Sequence, residues 1–538
     1  MPATMDQIEQ IHRKYLAATL IGSLILLSCQ LLFPLSIDNE IFQSMAMDLF
    51  RFHRLPILGS WAHDFPGTVY VHWLAIVLFG DTALGFRVFD LLVHLGMSWM
   101  LFVVLRRWLP PRSAFLSVIF YNLHYISNFW FAGQRDAFAV CFLLLGTLLL
   151  MRVDRAEEAP ISPITLVAGF GAGFCIAMMM TLRLTYAIFI PIGIVYLWRQ
   201  PELRAKRVTS YLAGVMALVI ALVMPYLFYP GGLEQAYLTT IRYNLELYGV
   251  VRIPRMLLLQ FRLQKLFFGS AFIGLLFAFL PSLRGRGKVK AFWERFVAPA
   301  SRDRLLIAGY ALCGIISIWV MGKFWPYHFE PILIIIVPFG AIALETLVVA
   351  IPSRILQWAA VLLLIGYSVL RIFPDYIIQP YLSNVMHGVP HPLESLQDTL
   401  QADSGYPRSA DFGVAAYIDR MSPPGARFET VTITPGVRWH TGRMSASRFT
   451  TLYPLIVSTP SGGHPPFQQA WRREYIDSLR SARPTFIVIS AQSVEIFNWI
   501  RETPLQMVHE IPGFDSEIMP HYAYDTTIGG YRLFRRRD

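Results

Sequence analysis

A chain of 538 residues with 55% hydrophobic and only 15% charged side chains is no ordinary soluble protein, which would carry about 25% charged residues. The net charge of +11 belongs to the first 374 residues, because 375–538 hold 15 Arg, no Lys and 16 Asp or Glu. That excess sits in short loops between apolar runs, so it reads as membrane topology and excludes a nucleic-acid footprint. Cys29, Cys141, Cys175 and Cys313 all lie inside apolar runs, which excludes a disulfide framework.

A bilayer core takes about 20 apolar residues per helix. Eleven spans are predicted, over 15–35, 84–105, 113–131, 135–151, 162–181, 184–198, 209–229, 266–282, 305–321, 329–350 and 355–373. The first is read as a retained helix, since no small-residue cleavage site follows it and further spans do. Segment 68–80 is apolar but too short to cross, and reads as an interfacial or re-entrant helix.

With the N-terminus inside, the inner segments hold 19 of the 31 basic residues that precede position 375, from Arg13-Lys14 to Arg354. The positive-inside rule requires that placement. An odd number of spans then puts 375–538 outside. There, turns separate β-branched runs at 428–433 and 485–490 from helical stretches at 412–421 and 467–481.

The expected fold is a polytopic α-helical membrane protein with about 11 transmembrane helices, N-in and C-out. Residues 1–374 form the membrane module, with outer loops 36–83 and 230–265. Residues 375–538 form an extracytoplasmic α/β domain that lacks a glycine-rich phosphate loop.

The candidate chemistry gathers at outer helix ends. Asp38 and Glu40 follow the first span; two positions apart on a helix, they point to nearly opposite sides, so one as base and the other as positioning group is the simpler assignment. Arg135-Asp136 lies in the second outer loop, either as a helix-end ion pair or as part of a site. Arg183, in a tight apolar turn, suits an anion such as a lipid phosphate; snorkelling to ordinary headgroups is the alternative. The fifth outer loop, Gly322 to Pro331, places Lys323 and His328 among Trp325 and Tyr327. An aromatic belt accounts for the rings alone, whereas Lys323 with His328 suits an anionic headgroup. The loop 230–265 adds Arg242, Arg252, Arg255, Arg262 and Lys265.

In order, the chain shows an acid after the first helix, a Pro66-Gly67 re-entry, a Phe79-to-Arg87 run (FGDTALGFR), Asp136, and a late Lys323-x-x-x-Tyr327-His328. This pattern resembles the GT-C superfamily of polyprenyl-phosphate-sugar-dependent glycosyltransferases. The nearest branch is the bacterial one akin to lipid A aminoarabinose transferases and protein O-mannosyltransferases. The resemblance is strongest at 37–136 and 322–331. It implies that Asp38 is the catalytic Asp of the first outer loop and that Asp136 is the second acid. Two departures stand out: Asn39 separates Asp38 from Glu40, and Asp64-Phe65-Pro66-Gly67 replaces the usual Lys-Pro-Pro. The phosphate contact of that absent Lys then falls to Arg183 or Lys323.

The resemblance further implies transfer of one sugar from a polyprenyl phosphate, with inversion, to a lipid, glycan or protein acceptor. Asp38 acts as base with Glu40 and Asp136 beside it; Arg135, Arg183, Lys323 and His328 hold the phosphate, and Asp64 and Tyr327 hold substrate. No metal or other cofactor is assigned. A divalent ion between Asp38 and Asp136 is compatible with hard-cation chemistry, but the branch it resembles does not need one. The expected location is the bacterial inner membrane, multi-pass, with the site facing the periplasm and the bilayer and lipid-linked sugar as partners. The rival readings are a polysaccharide ligase or polymerase using a lipid-diphosphate donor, and a lipid or solute transporter. Crowding of the unusual charges at outer helix ends, and the absence of an obvious internal repeat, disfavour the transporter.

Overall fold

The computed structural model describes residues 5–155, 163–198, 204–263, 302–349, 379–389, 391–402, 408–459, 461–492 and 502–537, with 353, 355 and 359. The chain divides into two compact units. The first comprises Met1–Leu31, Asp90–Leu222 and Arg252–Asp375; the second comprises Leu32–Phe89, Val223–Val251 and Tyr376–Asp538.

The first unit is helical. Among the described residues, five helices are long and apolar enough to cross a membrane, all wholly or mostly within this unit: Glu9–Leu32, Ala83–Leu105, Arg135–Val153, Pro163–Leu182 and Ala205–Leu227. Leu184–Trp198, Leu306–Met321 and Pro326–Ala341 are shorter apolar helices at predicted spans. A chain with this set is a polytopic helical membrane protein. Small residues let two of the helices approach closely. A Cβ at Gly173 would strike the Tyr211 carbonyl, and one at Gly214 the Phe170 carbonyl.

Three expectations need amendment. The span expected over 113–131 is helical only over Pro111–Tyr125; beyond it the chain tightens into a turn, with the Ser127 N–H bonding to the His124 carbonyl at 3.0 Å. The stretch 184–198 begins as a 3₁₀ turn, Leu184–Phe189, before the helix Ile190–Trp198. The loop 230–265 is largely helical, over Gly232–Tyr237 and Pro254–Leu263 with wider turns between. The span 266–282, most of 355–373, Lys265 and most of the basic loop after 283 lie outside the described residues.

The second unit is mixed. Its four-stranded sheet has the order β1-β2-β4-β3, with β1 Phe428–Val431, β2 Phe486–Ser490, β3 Tyr522–Ile528 and β4 Tyr531–Arg536. Strands β1 and β2 pair in parallel, with Phe428 opposite Phe486, and are buried along their whole length. Continuous β-branched runs suit that burial on both faces, and both strands fall at the predicted runs. The β3–β4 hairpin was not foreseen. It turns at Gly529-Gly530, both at positive φ (52° and 88°), the geometry a two-residue hairpin turn demands.

Helices Arg408–Met421 and Pro466–Ala482 extend the two predicted stretches slightly. The unit that holds 376–538 also includes both loop regions, Leu32–Phe89 and Val223–Val251. In the first of these, Ile37–Phe52 and Gly67–Phe79 are helices.

Candidate active site

In the second unit, Ser36 caps the Ile37–Phe52 helix by accepting a hydrogen bond from the Asn39 N–H at 3.4 Å. This places Asp38 and Glu40 in the first turn, where the helix dipole favours negative charge. The two carboxylates differ in burial. Asp38 is partly exposed, and its charge acts on the Tyr453 hydroxyl. Glu40 is buried and faces Gly436: a Cβ there would lie 3.2 Å from Glu40 Oε2 and would strike Asp411 Oδ2. The field of Glu40 also reaches Arg408. Asp411 accepts a hydrogen bond from the Tyr531 hydroxyl at 2.6 Å. Burial pushes its carboxyl up to about 7, assisted by Asp398 and opposed by Tyr531 and Arg408. Glu40 thus sits among groups of the C-terminal region, while Asp38 keeps access to solvent.

The rest of the first loop is held by buried polar ties. Asp48 Oδ2 accepts from Arg438 at 2.5 Å and from Ser60 at 2.5 Å. Both members of this ion pair are fully buried. Asp81 accepts from Gln43 at 3.0 Å, Arg51 at 3.0 Å and Trp439 at 2.9 Å. The backbone of Trp61 pairs with Arg448, N–H to carbonyl at 2.7 Å. Asp64 lies 3.5 Å from His63 Nε2. None of Asp48, Asp81, Arg438 or Asp411 was singled out in the sequence. Asp48 and Arg438 meet across 390 residues, Asp81 and Trp439 across 358, and Asp411 and Tyr531 across 120.

In the first unit, the helix Pro163–Leu182 ends at Arg183, whose extended backbone (φ −155°, ψ 120°) turns the side chain off the helix. Its guanidinium donates to Asp136 Oδ2 at 2.8 Å and contacts the Met321 sulfur at 3.0 Å. Asp136 stands in the first turn of Arg135–Arg155 and also accepts from the Tyr186 hydroxyl. The structure therefore pairs Asp136 with Arg183.

Lys323, Tyr327 and His328 come from the bend between Arg302–Met321 and the helix starting at Glu330. That bend needs Gly322 at φ +65°, with the Arg252 side chain 3.0 Å from where a Cβ would be. Lys323, Tyr327 and His328 are buried, as are Arg135 and Arg183. Arg183, Arg135 and Lys323 all act electrostatically on His328, so these three cations and the His328 imidazole share one neighbourhood. Glu330, next to them in the chain, accepts from the Tyr121 hydroxyl at 2.9 Å.

A buried cluster of cations can hold a phosphate with charge-assisted hydrogen bonds. A carboxylate at a capped, partly exposed helix start can accept a proton. Among the described residues, no group of three or more His, Cys, Asp and Glu is arranged to hold a metal ion.

Residues 63–229 match the family of dolichyl-phosphate-mannose-protein mannosyltransferases. No curated protein matches the sequence. Among solved structures, the fold is similar to ArnT from Cupriavidus metallidurans bound to undecaprenyl phosphate (TM-score 0.56, 12% identity, 97% of each chain covered). It is similar also to the apo state of that protein (TM-score 0.54, 11% identity, 97% of this chain and 96% of that one). The Archaeoglobus fulgidus oligosaccharyltransferase in its apo form has a TM-score of 0.50 at 12% identity, over 89% of this chain and 69% of that one. The match over 63–229 and the likeness of fold support the expected resemblance to GT-C glycosyltransferases of the ArnT and protein mannosyltransferase type.

Proposed function

We propose that this protein is an inverting glycosyltransferase of the bacterial inner membrane, moving a single sugar from a polyprenyl phosphate to an acceptor on the periplasmic side. The observation that carries the reading is, in the first unit, the buried neighbourhood of Arg135, Arg183 and Lys323 with the His328 imidazole, and the second unit by itself offers one accessible carboxylate, Asp38, at a capped helix start. Asp38 takes the proton of the acceptor hydroxyl, and the acceptor oxygen attacks the anomeric carbon. The bond from that carbon to the phosphate oxygen breaks, and the polyprenyl phosphate leaves with the electron pair.

Phosphate is a weak base, so its departure needs charge stabilisation rather than an acid, unlike the two-carboxylate chemistry of glycosidases. Asp136 acts through Arg183, which it orients; Glu40 acts by fixing the helix that carries Asp38. Asp64 and Tyr327 contact substrate. The distribution of basic residues supports an N-in, C-out topology, and with it a periplasmic acceptor.

The experiment is turnover of a panel of undecaprenyl-phosphate monosaccharides by the purified full chain, followed by mass spectrometry. Release of free polyprenyl phosphate is expected, and no turnover of any donor overturns the reading. The likeness to an oligosaccharyltransferase favours a second reading, transfer of a longer glycan from a diphosphate carrier. Release of polyprenyl diphosphate would establish it.

A further inference from the structure

We propose that an apolar cavity in the first unit holds one hydrocarbon chain of an anionic phospholipid, whose phosphate rests on the arginines of the loop joining Ala83–Leu105 to Pro111–Tyr125. This lipid is a partner separate from the polyprenyl donor, and its site does not include the four side chains assigned to the donor phosphate. The cavity measures about 380 Å³. Its walls come from Ala83–Leu105, Arg135–Arg155, Arg302–Met321 and Glu330–Val349, completed by Trp108 and Leu109 of the loop.

Apart from the Trp108 indole, the lining is hydrocarbon with two hydroxyls, those of Thr147 and Tyr310. These hydroxyls lie 3.1 Å apart, and Thr147 also donates to the Leu143 carbonyl at 2.7 Å. Their hydrogen bonding is met within the protein, so they ask nothing of an occupant. A buried water needs about two to four polar partners, which such walls do not offer. An apolar cavity of about 150 Å³ takes a benzene ring; one of 380 Å³ has room for a length of acyl chain. Ala308 is exposed and Trp108, Ile335 and Phe339 are partly exposed. The cavity therefore opens at the surface of the helical unit, where a bilayer supplies chains.

Charge selects the headgroup. Residues 106–112 read Arg-Arg-Trp-Leu-Pro-Pro-Arg, three cations and no acid, and all three arginines are partly exposed. Arg106 donates to the Leu109 carbonyl at 2.6 Å, so its guanidinium lies against a residue of the lining. A Trp among arginines is the pattern of a helix end at headgroup level. Cations beside an apolar cavity match a phosphate carried on a hydrocarbon chain; a neutral lipid would leave the arginines unused. The donor's own prenyl chain fits less well. From Ala308 to Met321, after which Lys323 follows, the helix runs on the order of 20 Å. Thr147 likewise lies roughly 16 Å along its helix from Asp136. The cavity and the donor cations thus stand at different levels on shared helices.

The test is native mass spectrometry of the purified, delipidated full chain titrated with dioleoyl phosphatidylglycerol, dioleoyl phosphatidylcholine and undecaprenyl phosphate. Wild type is compared with Ala308→Phe and with the double variant Arg106→Gln, Arg107→Gln. Wild type is expected to hold one phosphatidylglycerol about tenfold more tightly than phosphatidylcholine. Ala308→Phe should lose the tight site, because its ring fills the cavity. The arginine variant should bring phosphatidylglycerol down to the phosphatidylcholine level. If Ala308→Phe fails to fold by circular dichroism, Ala311→Leu takes its place. Equal binding of the two phospholipids to wild type, or a tight site unchanged in either variant, overturns the proposal. One-for-one displacement of the phosphatidylglycerol by undecaprenyl phosphate overturns it as well, and gives the cavity to the donor. Tight phosphatidylglycerol without any binding of undecaprenyl phosphate leaves this site standing and counts only against the transferase reading.

Discussion

In the helical unit, Arg183 and Asp136 meet across 47 residues of sequence; in the mixed unit, Arg438 and Asp48 meet across 390. The first pair is set by the ends of packed apolar helices. Each side chain occupies the bend or first turn that the helix boundary gives it, so the ionic cluster follows from where the helices stop. The second pair exists only because a loop near the N-terminus packs with a segment near the C-terminus. Charges in the helical unit are thus placed by local chain geometry, and those in the mixed unit by remote docking. A substitution in the first should alter what the site binds, and one in the second whether the site assembles at all.

The largest effect falls on the base. Asp38→Asn should lower the transfer rate by roughly a hundred- to ten-thousandfold, with an unchanged melting midpoint and unchanged donor binding. Normal turnover would move the base elsewhere. Next comes the long-range tie: Arg438→Ala leaves Asp48 buried and uncompensated, at a cost of about 3–5 kcal/mol. Thermal unfolding in detergent reads this directly, and a wild-type midpoint would show that the two segments do not depend on the pair.

Asp411 offers a pH-dependent version of the same contrast. Its folded-state carboxyl is raised to about 7 by burial, above an unfolded value near 4. Its contribution to stability is therefore fully present below about pH 4 and is lost as the pH rises through 7. Asp411→Asn should flatten that slope and raise the midpoint at pH 8; an unaltered pH profile would show that Asp411 does not titrate there.

In the helical unit, Arg183→Met should weaken donor binding about tenfold, the scale of one charge-assisted hydrogen bond. Equal affinity would leave Arg183 as a structural partner of Asp136 and nothing more. The smallest effect belongs to Arg480 and Asp477, paired on the surface with both side chains 62% exposed. Arg480→Ala should shift stability by no more than about 0.5 kcal/mol, and a larger loss would mean the C-terminal region relies on surface charge.

The helices and the parallel strands β1 and β2 were legible because their signals are local. Apolar runs of spanning length mark one class, and the β-branched runs at 428–433 and 485–490 mark the other. The cationic neighbourhood was legible for a related reason, since Arg183, Lys323 and His328 sit at predicted helix ends. The acids in the first turn of the helix Ile37–Phe52 stood out in the sequence, but its Ser36 cap did not. Gly529-Gly530 carried a turn signal that went unread for the β3–β4 hairpin. For Asp48, Arg438 and Asp411 no such signal existed, because the ties of Arg438 to Asp48 and of Tyr531 to Asp411 join residues 390 and 120 apart.

What the sequence determined by itself was the solvent in which each segment folds. Hydrophobicity and the loop charges depend on composition over a score of residues, and composition is written in order along the chain. What only the tertiary structure decided was which carboxylate stays open to a substrate and which is sealed. Asp38 and Glu40 are two residues apart and share one helix turn, yet one faces solvent and the other lies against Gly436 and Asp411. That difference comes from packing against the C-terminal region, where burial strips water from one carboxylate and leaves the other hydrated.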